Sequence, residues 1–160
     1  LGPYITHITP GTIVDMGIKD ANNMGAAMAP AALSTLCTHF EDTGRTPEYY
    51  DAIITGDLGY LGKSILIDLA KSKGYDISEN YDDCGVLMFD KNKQDTHAGG
   101  SGCACIATVF SGYLYKLMKQ GHIKKLLLMA TGALMNSTTS QQGESIPGIA
   151  HAISIEMEKG

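Results

Sequence analysis

Residues 95 to 133, DTHAGGSGCACIATVFSGYLYKLMKQGHIKKLLLMATGA, run a glycine-rich turn, a helix-period segment and an apolar strand in immediate succession. No other stretch restricts the fold as much. Cys103, Ile106, Ala107, Phe110, Tyr113, Leu114, Leu117 and Met118 recur at three and four, so residues 101 to 119 are expected to form one helix. Lys116 and Lys119 suit its negative end, and Gly121 stops it. Residues 124 to 131, KKLLLMAT, then read as a strand buried on both faces.

The other segments continue this alternation. Residues 12 to 18, TIVDMGI, have the β-branched character of a strand, and residues 20 to 23 supply turn and cap chemistry for the helix MGAAMAPAALSTLCTHF, with Pro30 in its first turn. A polar loop, DTGRTPEYYD, leads to the buried strand AIITG and the glycine turn GDLGYLG. Residues 63 to 73 carry Ile65, Leu66, Leu69 and Ala70 on one helical face, closed by Gly74. YDISENYDD reads as an acidic surface loop, GVLMF as a short strand, residues 134 to 148 as a polar loop, and IAHAISIEM as a half-exposed strand. The fold class expected is α/β: one domain over residues 1 to 160, with a mixed, mostly parallel sheet and helices on both faces.

With 160 residues, 44% of them hydrophobic, the chain can bury one ordinary core. A net charge of -5 without a Lys/Arg cluster argues against nucleic acid as a partner. The longest apolar run is far short of the roughly 20 residues a membrane span requires, and no signal peptide opens the chain. Cys37, Cys84, Cys103 and Cys105 follow no disulfide framework, which points to a reducing, intracellular setting and to buried packing roles.

Three chemistries compete for the turn at residues 95 to 105: a cysteine nucleophile, a Cys/His metal site, and an anion pocket at a helix start. Cys103 and Cys105 are two apart on a helix, so their side chains diverge by about 200° and do not chelate one ion. Adjacent Asp82 and Asp83 in NYDDCG lack the ligand pattern of a calcium loop, and a solvated acidic loop is the better reading. No metal and no cofactor is expected. The anion reading rests on the backbone N–H groups of Gly99, Gly100, Ser101 and Gly102, placed where a helix dipole attracts negative charge.

The order of elements, with TPEYYDAIITGDLG and a His-Gly-Ser turn ahead of the second long helix, resembles the C-terminal half of the thiolase superfamily. The strings IKDANNMGAAMAPAA, YYDAIITGDLGYLGKSIL, DTHAGGSGCACIA and SQQGESIPGIAHAISIE are similar to the stage V sporulation AD proteins of spore-forming Firmicutes, over nearly the whole chain. That resemblance implies a thiolase-like half-domain of a protein that binds dipicolinic acid (pyridine-2,6-dicarboxylate), free or as its calcium chelate. It also implies work with SpoVA membrane proteins at the spore inner membrane, on the forespore cytoplasmic side, in sporulation and germination. The implied partners include the protein's own N-terminal half, and a homodimer is expected.

Thiolase-fold enzymes carry their cysteine nucleophile in the first half, and the second half supplies an Asn or His that polarises the thioester carbonyl. Here that position is Gly56, with Asp57 beside it, and the second helper position falls on Thr96 or His97. The resemblance therefore implies binding without catalysis. The ligand-binding candidates are His97, Thr96, Gly99, Gly100, Ser101, Asp57 and Thr131, the last at the end of the final core strand, where open α/β sheets place ligands. The runner-up is a condensing-enzyme half acting on acyl thioesters, and a third reading is a scaffold for the channel.

Overall fold

The computed structural model describes residues 2–100 and 102–158. Five strands, β1 (Pro3–Thr9), β2 (Ala52–Thr55), β3 (Tyr81–Asp83), β4 (Lys125–Ala133) and β5 (Gly148–Met157), form one sheet in the order β1-β5-β4-β2-β3. β2 pairs in parallel with both β3 and β4, and β5 pairs antiparallel with both β4 and β1. Four strands thus point one way. Because β5 lies between two of them, half of the pairings are antiparallel, and the sheet is more mixed than expected.

Period-two alternation in β4 builds a core on each face. Leu127 and Met129 join Ile53 beneath α1 (Met24–Thr43) and α2 (Gly59–Ser72). Leu126 and Leu128 join Ala52 and Ile54 beneath α4 (Cys105–Val109), a π-helical turn (Phe110–Leu114) and α5 (Tyr115–Lys119). Asn23 caps α1 by accepting from the Ala26 N–H. α1 and α2 meet through glycine: a Cβ on Gly62 would lie 2.9 Å from the Gly25 Cα.

Several expectations are corrected. Residues 12–18 are not a strand; Val14 makes one isolated bridge to Gly148, and PYITHIT forms edge strand β1 instead. β1 gains a buried polar anchor, because the Thr9 hydroxyl meets His39 Nδ1 at 2.7 Å while His39 Nε2 meets the Tyr50 hydroxyl. Burial, reinforced by Arg45, pushes His39 down to about 4, so it stays neutral in this contact. Pro30 lies in the second turn of α1, not the first. GVLMF is not a strand: α3 (Cys84–Met88) forms because Asp83 caps it. The acidic segment 75–83 is a surface loop only in part: Asp76, Ser78 and Glu79 are exposed, whereas Ile77 and Tyr81 are buried, Tyr81–Asp83 form β3, and Asp83 has no exposure. A short helix, α6 (Ser137–Gln141), occupies the loop after β4. The packing role assigned to every cysteine holds for Cys84 and Cys105, whereas Cys37 is half-buried and Cys103 exposed.

Candidate functional site

β2 and β4 lie side by side and parallel; β2 ends at Thr55 opposite Met129 while β4 runs on to Ala133, so the turn that leaves β2 lies against the last residues of β4. From the β2 turn comes Asp57, and from β4 comes Thr131. The Thr131 hydroxyl donates to Asp57 Oδ1 at 2.9 Å and accepts from the Asp57 N–H at 3.3 Å. Gly102 donates a backbone hydrogen bond to the same carboxylate. With Met24, Met28 and Gly132 these groups line a cleft of about 170 Å³, and Cys103 stands at its exposed rim. Burial pushes the Asp57 carboxyl above the ordinary aspartate range; the Thr131 hydrogen bond opposes that shift and the negative charge of Asp83 adds to it.

Gly56 precedes Asp57 with its side-chain space already taken. A Cβ there would lie 2.8 Å from Thr131 Oγ1 and 3.1 Å from Thr131 N. The position that the thiolase resemblance assigns to a carbonyl-polarising side chain is therefore occupied by the Thr131 hydroxyl, which is committed to Asp57.

Beneath the cleft, Asp83 joins three segments. Its Oδ2 accepts from the Thr55 hydroxyl at 2.6 Å and the Leu58 N–H at 2.9 Å. Its Oδ1 accepts from the N–H groups of Gly59 and Gly85, each at 2.9 Å, and Val86 at 3.4 Å. One carboxylate thus caps the starts of both α2 and α3. Burial pushes Asp83 upward, and hydrogen bonds led by Thr55 oppose it. No sequence signal beyond the Tyr81-x-Asp83 alternation, which sets both side chains on one face of a strand, announces this role.

The candidate residues divide into two groups. Asp57 and Thr131 are brought together; His97 and Thr96 are not with them. His97 adopts φ 51 on an exposed turn, its Nδ1 3.3 Å from the Asp95 carboxylate. Thr96 is half-buried in the same turn, and its carbonyl accepts from the Gly99 N–H at 2.7 Å. The helix start is also displaced from its expected place. α4 begins at Cys105 with Ala104 as its cap, so the amides of Gly99, Gly100 and Gly102 are not the first turn of a helix, as the anion-nest reading requires. Ser101 lies outside the described residues. These glycines instead let the turn lie backbone-to-backbone on the site: a Cβ on Gly99 would sit 3.0 Å from Tyr60 N, and one on Gly100 3.0 Å from the Asp57 carbonyl.

Among the described residues no group of three or more His, Cys, Asp or Glu could hold a metal ion. Burial, with the Asp83 charge, pushes the Cys84 thiol far up, which disfavours its thiolate.

The family profile for stage V sporulation protein AD matches residues 1–156. The stage V sporulation protein AD of Bacillus subtilis (strain 168) is 44% identical over 156 residues, 98% of this chain and 46% of the relative. The chain belongs to the stage V sporulation protein AD family. It spans about half the length of that relative. Solved structures place the family's fold: the 3-oxoacyl-[acyl-carrier-protein] synthase III of Aquifex aeolicus VF5 is 12% identical with a TM-score of 0.51, over 99% of this chain and 55% of that one. The synthase III of Pseudomonas aeruginosa PAO1 is 10% identical with a TM-score of 0.51, over 99% and 53%. At these identities the likeness concerns the fold alone, which is thiolase-like. Among the described residues of this family member, no helix is long and apolar enough to cross a membrane.

Proposed function

We propose that this sporulation protein binds dipicolinic acid, free or as its calcium chelate, in the Asp57–Thr131 cleft and performs no acyl transfer. The observation that supports the reading is the filled space at Gly56: acyl transfer needs donors aimed at a developing oxyanion, and the hydroxyl standing there is spent on a carboxylate. The cleft has about the volume of six water molecules in the liquid, room for one small ring. The ligand would lie against Asp57, Gly102, Thr131 and Gly132, with Thr131 holding the Asp57 carboxyl in place. His97, Thr96, Gly99 and Gly100 then shape the neighbouring turn. On this reading the protein acts on the forespore side of the spore inner membrane, beside SpoVA membrane proteins, in moving dipicolinate and calcium.

Dipicolinate titrated by calorimetry into the full-length protein, with acetyl transfer from acetyl-coenzyme A to its cysteine followed in parallel, tests this. Binding without acylation is expected, with Thr131→Val weakening affinity about tenfold through loss of the hydrogen bond that positions Asp57, and His97→Ala leaving it unchanged. An equal loss in His97→Ala would move the site to the 91–97 turn, and acylation without affinity would establish the enzyme reading.

The face opposite α1 and α2 is incompletely covered. Ile106, Phe110, Leu128 and Ile153 border an apolar recess of about 220 Å³. On β1, Ile8 and Ile5 pair with Ile153 and Ile155 and extend that face, at 68% and 54% exposure. In a full-length relative we assign this face to the other half of the protein; in this chain alone a second copy is expected to cover it. Sedimentation velocity should show concentration-dependent dimerisation, abolished by Ile8→Glu. A monomer at every concentration would contradict the assignment.

A further inference from the structure

An anion entering this cleft meets an obstacle made of the cleft's own residues. Asp57 is one of its walls, and none of the lining residues is Lys, Arg or His. Asp83 lies directly behind, its Oδ2 held 2.9 Å from the N–H of Leu58, the residue next to Asp57. One carboxylate thus lines the cleft and a second lies buried behind it, and a ligand that is itself negative is repelled by both.

The remaining titratable groups nearby bring one positive charge, Lys63, and it is paired with Asp82. From β3 and α3 come Tyr81, Asp82, Asp83 and Cys84; Tyr81 is bound to Thr55, and Asp82 is neutralised by Lys63 at 2.8 Å. From the 98–104 turn comes Cys103; from α1 and β4 the contributions are Met24, Met28 and Thr131, which do not titrate. Asp83 cannot turn away, because five donors on three segments hold it. Asp57 is the group with freedom to change, since it is only half-buried and opens to the cleft.

Building on the dicarboxylate reading, we propose that Asp57 is a proton gate: the cleft accepts an anion when Asp57, the carboxyl in its wall, carries a proton, and Asp83 is held in place behind it by five donors. Protonated, Asp57 presents an O–H that donates to a ligand carboxylate; ionised, it only accepts and repels. Above the Asp57 midpoint, each anion bound takes up one proton from solvent at the Asp57 carboxyl. The raised proton affinity of Asp57, caused first by burial and then by Asp83, is in the required direction.

The test combines carbon-detected titration of the aspartate carboxyls with dipicolinate affinity measured from acid to neutral pH, in the wild-type chain, Asp57→Asn and Asp83→Asn. Wild-type affinity should fall by about tenfold for each pH unit above the Asp57 midpoint, the signature of one linked proton, while Asp57→Asn loses that slope and keeps only the ligand's own. Asp83→Asn should lower the Asp57 midpoint. If that variant does not fold, Asp57→Asn reads the same coupling in reverse, because the interaction is mutual, and the Asp83 midpoint must fall. Midpoints that do not respond to either substitution, or a slope shared by wild type and Asp57→Asn, would overturn the gate. Midpoints that respond while dipicolinate fails to bind at any pH would leave the carboxylate coupling standing and remove the ligand reading instead.

Discussion

Asp83→Ala is expected to lower the free energy of unfolding by roughly 3–5 kcal/mol, the range for removing one partner of a buried charge network. The substitution strands five donors, Thr55 Oγ1 and the N–H groups of Leu58, Gly59, Gly85 and Val86, at a site with no exposure to water. It uncaps two helices together, so denaturant unfolding should shift its midpoint with little change of slope. The pH dependence has a definite sign. A carboxyl whose folded value is raised contributes stability that is fully present below the unfolded aspartate value and is lost as pH rises through the folded one. The gap between wild type and Asp83→Ala should therefore widen on acidification. A variant within about 1 kcal/mol of wild type, the scale of a surface change, would show that water or neighbouring groups replace the carboxylate.

Gly59→Ala should cost roughly 2–4 kcal/mol, adding left-handed backbone strain of about 1 kcal/mol to an overpacking penalty of about 1–3 kcal/mol. Gly59 has φ +68, and a Cβ on it would lie 2.5 Å from the Ala98 carbonyl oxygen and 2.6 Å from the Gly99 carbonyl carbon. Those contacts are backbone, so the 98–102 turn must move, taking with it the Gly102 donor to Asp57. Gly74→Ala provides the comparison: its φ of +87 imposes the same kind of strain, but nothing lies within 4 Å of the added Cβ. The Gly74 variant should lose about 1 kcal/mol and leave the Asp57 and Thr131 resonances in place. Equal losses in the two variants would mean that the glycine turn does not press on the site.

Much of the scaffold is legible in residue patterns. The two long helical stretches, β2, β4 and β5 follow from periodicity because burial on one face or both imposes it, and the meeting of Asp57 with Thr131 follows from the parallel pairing of β2 with β4, which runs on past the β2 end. The missed elements are decided by distant partners. PYITHIT and TIVDMGI carry similar β-branched content, and PYITHIT becomes the strand because it aligns Ile5 and Ile8 with Ile155 and Ile153 and brings Thr9 to His39. GVLMF is a short apolar run that periodicity alone assigns to either state; the side chain before it, Asp83, tips it into a helix. Within the site, the same limit separates His97 from the cleft. Composition marks the HAGGSG turn as open to close approach, but the approach is by Gly59, Gly85 and Asp57 backbone, which leaves His97 facing outward.

The most direct test is a backbone amide map of the chain recorded before and after adding dipicolinate at acid pH. Saturable changes centred on Asp57, Gly102, Thr131 and Gly132, with the 91–97 turn unmoved, are the predicted result. Changes confined to that turn, or an unaltered map, would contradict it.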